Sequence, residues 1–70
     1  MRLTRHCSRR VAGRVGVKSR RRQQSWIARA INNATDTRRM PDGTVRYFTG
    51  RWVVVYDKRR GRAVTIWETN

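Results

Sequence analysis

The run Arg51-Trp52-Val53-Val54-Val55-Tyr56-Asp57, the short break Lys58-Arg59-Arg60-Gly61 and the run Arg62-Ala63-Val64-Thr65-Ile66-Trp67-Glu68 decide the fold class. Both runs are rich in β-branched and aromatic residues and are bounded by turn formers, so they read as antiparallel strands joined by a compact connection. Side chains alternate across a strand. Trp52, Val54 and Tyr56 therefore share one face of the middle strand, with Val53 and Val55 on the other. The same alternation groups Val64 with Ile66, and Ala63 with Thr65 and Trp67.

Upstream, Gly50 ends a strand from Val45 to Thr49, and Pro41-Asp42-Gly43 is a turn signature. Proline fixes its own φ there and glycine accepts a positive one. Thr37 to Met40 is placed to add a short edge strand. The period then changes. In residues 19–34, Trp26, Ile27, Ala30, Ile31 and Ala34 fall in one helical stripe, Ser19 is a capping residue, and Asn32, Asn33 and Thr35 signal the end. Leu3, Cys7, Val11 and Val15 lie four apart and line one side of a shorter helix weakened by Gly13. The simplest layered solution is a single small basic α+β domain over residues 1–70, with two N-terminal helices packed on one side of a three- to four-stranded antiparallel β-meander.

Charge narrows the partners. Eighteen basic residues stand against four acidic ones, a formal net charge of +14 on 70 residues. Residues 1–35 hold ten of the basic residues and no acid, and residues 36–70 hold eight basic and four acidic residues, so the halves carry +10 and +4. The natural partner is a polyanion, RNA or DNA, and DNA mimicry is excluded by the sign. A chain of this size buries only about 60% of the surface it exposes when unfolded, so its core is thin. A single cysteine forms no intramolecular disulfide, and one Cys with one His leaves a zinc site incomplete. No metal and no cofactor are expected. Asp36, Asp42, Asp57 and Glu68 fall near turns or ends, which disfavours a two-metal nuclease. No apolar run approaches the roughly 18 residues of a membrane span, so no membrane partner and a cytoplasmic location are expected.

Arg20, Arg21, Arg22, Arg29, Arg46, Arg51, Lys58, Arg59, Arg60 and Arg62 are the candidate backbone contacts. Their ordinary alternative is a solvated charged surface. Arg20 to Arg22 occupy a helical first turn, where the dipole prefers acids; a bound anion would explain the misfit, and so would three exposed side chains that each cost a few tenths of a kcal/mol. Of the six aromatic residues about half are needed for the core. Tyr47, Tyr56 and Trp67 are the best placed to stack on unpaired bases. If the second helix entered a duplex groove, Arg20 to Arg22, Gln23, Gln24 and Arg29 would face outward as readers.

His6 is the side chain suited by type to acid or base work at neutral pH. Its ordinary alternative is a surface histidine. The segment around it, Thr4-Arg5-His6-Cys7-Ser8-Arg9-Arg10, together with Asp42-Gly43, Val53-Val54-Val55-Tyr56-Asp57 and Ala63-Val64-Thr65-Ile66-Trp67, resembles a family of small phage and bacterial domains. That family is similar to the RelE-like toxins of the barnase, EndoU, colicin and RelE group. The resemblance implies a metal-independent ribonuclease with its cleft on the sheet face opposite the helices. His6 would be the general base or acid, Arg10 would steady the phosphate, Thr65 would position it, and Tyr56 and Trp67 would contact the substrate. An acidic antitoxin is the implied partner.

Three readings follow. The first is a nucleic-acid-binding protein of phage or mobile-element type that contacts RNA or DNA without catalysis. The second is the ribonuclease toxin, and the third an inhibitor that binds an acidic host protein. A toxin predicts His6, Arg10 and Thr65 close enough to share one phosphate. A binding module predicts His6 exposed without an acid–base partner. An exposed edge strand would also allow a homodimer.

Overall fold

The computed structural model describes residues 1–69. Its elements run β1 (Arg2–Leu3), α1 (Arg5–Arg10), a π-helical turn (Val11–Val15), α2 (Arg20–Asn32), β2 (Asp36–Arg39), β3 (Thr44–Thr49), β4 (Trp52–Asp57) and β5 (Arg62–Glu68). The strands form one sheet in the order β1-β5-β4-β3-β2. The α+β architecture, with the helices packed on one side of the sheet, is as the sequence pattern implies.

Two features differ from the expectation. The sheet has five strands, because Arg2 and Leu3 pair in parallel with Arg62 and Ala63. The expected helix over residues 3–15 accordingly starts at Arg5 and loosens after Arg10 into the π-helical turn, closed by the Gly16 N–H on the Val11 carbonyl at 3.1 Å. Gly16 ends it at φ 85°, a value that favours glycine. The second difference is a β-bulge in β5. Val55 pairs with Thr65 but Tyr56 pairs with Ala63, so Val64 is an extra residue and the alternation slips. Ala63 thereby joins Ile66 in the core instead of facing away with Thr65 and Trp67.

The hairpins follow from their turn residues. Gly50, at φ 53°, occupies the first central position of the two-residue turn between Thr49 and Trp52, the place where a type II′ turn requires glycine. Asp42 accepts from the Thr44 N–H at 3.0 Å and from its hydroxyl at 2.6 Å, which fixes the β2–β3 turn. These bonds hold the Asp42 carboxyl below the usual carboxylate range.

The core lies between the helices and the sheet. Cys7, Val11, Ile27, Val54, Ala63 and Ile66 are fully buried, joined by Leu3 and Ala30. Burying each large aliphatic side chain contributes about 1.5–3 kcal/mol. Burial also pushes the Cys7 thiol up to about 11, so it stays protonated at neutral pH. Thr4 ties the first helix to the sheet: its hydroxyl accepts from the Cys7 N–H at 3.0 Å as the N-cap and donates to the Val64 carbonyl at 2.7 Å. Ser19 caps α2 as its position implies, accepting from the Arg22 N–H at 3.2 Å. Gln23 is only 2% exposed. Its amide donates to the carbonyls of Val17, Lys18 and Ser8, and its carbonyl accepts from the Ser8 hydroxyl at 2.6 Å, locking α1 to the start of α2. Gln23 is therefore a buried clamp and not the outward reader expected of a recognition helix.

Candidate nucleic-acid interface

Among the described residues no helix covers the far side of the sheet. Residues directly opposite one another on paired strands share a face, so the register gives that surface in rows. The first is Trp67, Val53, Phe48 and Asp36, and the second is Thr65, Val55, Arg46 and Arg38. A third joins Arg62, Asp57 and Thr44. Across the four antiparallel strands this surface is about 14 Å wide at the usual strand spacing.

Val53 and Val55 are buried although no helix lies over them. Side chains of the neighbouring strands cover them. The Arg46 guanidinium reaches diagonally across β4 and lies 5.1 Å from the centroid of the Trp67 ring, and Phe48 flanks Val53 from the other side. The result is a half-exposed platform of one indole, one phenyl ring and a stacked guanidinium over a valine floor. Arg38 stands directly opposite Arg46. The Arg46 guanidinium extends away from it toward Trp67, and neither arginine has an ion-pair partner among the described residues.

The remaining cations are spread over both sides. Arg20, Arg21, Arg22 and Arg29 are exposed on α2, and Lys58, Arg59 and Arg60 are exposed in the β4–β5 turn. Among the described residues only Arg51, with Glu68 at 3.5 Å, and Arg60, with Asp57 at 3.2 Å, are ion-paired. Asp57 is structural: it accepts from the Arg60 and Arg59 N–H groups and the Arg60 guanidinium, which hold its carboxyl below the usual range. Arg62 has its Nε shut off from solvent with no acceptor, so only its outer nitrogens are free to meet a ligand.

The residues assigned to chemistry by resemblance are placed as follows. Arg10 donates to the Ile66 carbonyl at 3.2 Å, on the stretch of β5 edge that β1 leaves unpaired. The Thr65 hydroxyl donates weakly to the same carbonyl at 3.4 Å. His6 precedes Arg10 by one helical turn, is exposed, and makes no hydrogen bond or ion pair among the described residues. Arg10 and Thr65 thus meet at one backbone oxygen. Tyr56 and Trp67 lie on opposite faces of the sheet and cannot serve one surface: Tyr56 and Tyr47 pack against the core beneath the helices.

Sequence reasoning missed Arg38 and Phe48. Counting outward from the Pro41–Gly43 turn pairs Arg39 with Val45 and Arg38 with Arg46, and the next step places Phe48 on the face of Val53. No protein-family model matches this sequence, and no match was found among curated proteins or solved structures.

Proposed function

We propose that this protein is a nucleic-acid-binding module that holds a single strand of RNA or DNA against the open sheet face without catalysing a reaction. The observation that carries this reading is the row of Arg38 directly opposite Arg46, beside the Phe48 and Trp67 rings on an uncovered face. The Arg38 and Arg46 guanidinium groups offer phosphate contacts at two points of this face, and unpaired bases stack on the rings with little sequence preference. A duplex keeps its bases stacked inward and offers the rings nothing.

A second reading, the metal-independent ribonuclease, draws support from the meeting of Arg10 and Thr65 at the Ile66 carbonyl one turn from His6. His6 has no acid–base partner there, which favours the binding module.

The test is anisotropy of labelled single-stranded RNA, single-stranded DNA and duplex DNA at two salt concentrations with EDTA, with cleavage scored in the same tubes. The expected result is salt-sensitive binding of single strands, no cleavage, and a loss of about 5- to 150-fold for Trp67→Leu, the equivalent of about 1–3 kcal/mol per stacked base. Equal affinity for duplex and single strand in both proteins refutes the platform. RNA cleavage that survives EDTA and disappears in His6→Ala replaces the proposal with the ribonuclease.

A further inference from the structure

The opposite side of the molecule carries a second pattern of rings and cations. On α2, Arg22, Trp26, Arg29 and Asn33 stand at i, i+4, i+7 and i+11, one stripe along the helix. Two grooves flank this stripe and share Trp26 and Arg29. One, of about 280 Å³, is bounded by Val17, Arg22 and Ser25. The other, of about 290 Å³, runs from Asn33 to the β3–β4 turn at Gly50, Arg51 and Trp52.

The second groove is firmly built. Trp26 meets Trp52 edge to face, with centroids 5.6 Å apart and an 88° interplanar angle. Arg51 lies over the Trp52 ring at 5.5 Å, and Glu68 holds its Nε at 3.5 Å. The rim arginine thus has both a ring and a carboxylate beside it, with most of its side chain open to solvent. Arg22 and Arg29 are exposed and unpaired among the described residues. Neither α1 nor α2 contains an acid to neutralise them.

The two faces meet at the β3–β4 turn. Phe48 and Trp67 on the open face are each one residue from the strand-end row of Thr49, Trp52 and Glu68, a step of about 3.3 Å along the strand. A strand leaving the platform there reaches Arg51 next, then the groove lined by Trp52 and Trp26, then Arg29 and Arg22. Cations and rings recur along this path as phosphates with their pendant bases recur along a chain, and Arg22 and Arg29 lie about 10.5 Å apart along the helix.

We infer that a single nucleic-acid strand wraps around the β3–β4 end of the sheet, with its bases on the open face and its continuing backbone held by Arg29 and Arg22 of α2. The occupant is single-stranded RNA, whose unpaired loops present splayed bases without a helicase. This rests on the sheet-face reading and extends it. The domain then occludes a longer stretch of strand than one face can cover.

The experiment compares oligouridines of about four and about twelve nucleotides, lengths that bracket the site sizes of small single-strand binders, on the wild type and on Arg22→Ala/Arg29→Ala. Both positions are solvent-exposed, and a thermal melt verifies that the double variant is folded. The wild type is expected to favour the longer chain. The double variant loses about tenfold on the twelve-mer, its salt slope falls by about 1.4, and its tetramer affinity stays within about twofold. Equal losses on both lengths, or no loss on the longer one, overturn the wrap while leaving the platform standing. A twelve-mer of deoxythymidine bound as tightly as oligouridine overturns the choice of RNA. Failure of the wild type to bind either oligouridine or the deoxythymidine twelve-mer overturns the sheet-face reading itself.

Discussion

Replacing Gln23 by methionine separates a structural clamp from a nucleic-acid contact. Methionine nearly matches glutamine in length and volume, so packing around the site is retained while the polar contacts disappear. The Ser8 hydroxyl loses its acceptor at 2.6 Å and the Val17 carbonyl its donor at 3.0 Å; the bonds to Lys18 and Ser8 carbonyls, at 3.3 and 3.4 Å, are weaker and add little. Two good hydrogen bonds at about 0.5–1.5 kcal/mol each, with part of the desolvation of the groups left behind, amount to about 2–3 kcal/mol. A domain of this size shifts its melting temperature by about 4–8 °C per kcal/mol, so Gln23→Met is expected to melt about 10–20 °C lower. Tryptophan fluorescence during heating measures this, with anisotropy well below the transition measuring binding. A shift of under about 4 °C refutes the clamp. A variant that keeps its melting temperature but loses duplex DNA binding would reinstate α2 as a recognition helix.

Cys7 is expected to react with a thiol reagent in the native protein only at the rate of transient opening, because its thiol is buried and pushed up to about 11. Fast stoichiometric labelling at neutral pH, at the rate of an unfolded control, refutes that placement. Asp57 gives a pH prediction. Its folded carboxyl titrates below its unfolded value, so its contribution is complete above about pH 3.9 and is lost as pH falls through the folded pKa. Asp57→Asn is therefore expected to melt lower than the wild type at neutral pH, with the gap closing in acid. A gap that is constant down to pH 2 refutes the role of the ionised carboxylate in the turn.

Much of the architecture was legible because it is written in local chemistry. Ser19 marks the start of α2, Gly50 and Pro41-Asp42-Gly43 mark the turns, and the alternation of Trp52, Val54 and Tyr56 marks the buried face of β4. What escaped depends on distant partners. Arg2 and Leu3 form a strand only because β5 offers an edge, and two residues carry no period of their own. The bulge at Val64 reverses the face of Ala63, a slip that no reading of β5 alone reveals. At the candidate interface the arginines were visible as charge, but their grouping was not. Arg38 gained meaning only when the hairpin register set it against Arg46, and Tyr56 lost its assigned place when the core claimed it.

The pairing of β1 with β5 also governs how the chain reaches this state. Thr4 bonds to Val64 across 60 residues of sequence and Arg10 to Ile66 across 56, so docking of the first helix requires strand β5. Contacts of such separation form slowly, since loop closure precedes any gain from them. During synthesis the N-terminal half, with its +10 charge, emerges before the strand on which it docks. A polyanion that engages those arginines while they are still extended stabilises the unfolded chain. The nucleic acid that the finished domain is proposed to hold is thus also a competitor of its folding, and refolding yields in vitro should fall with added RNA and recover as salt is raised.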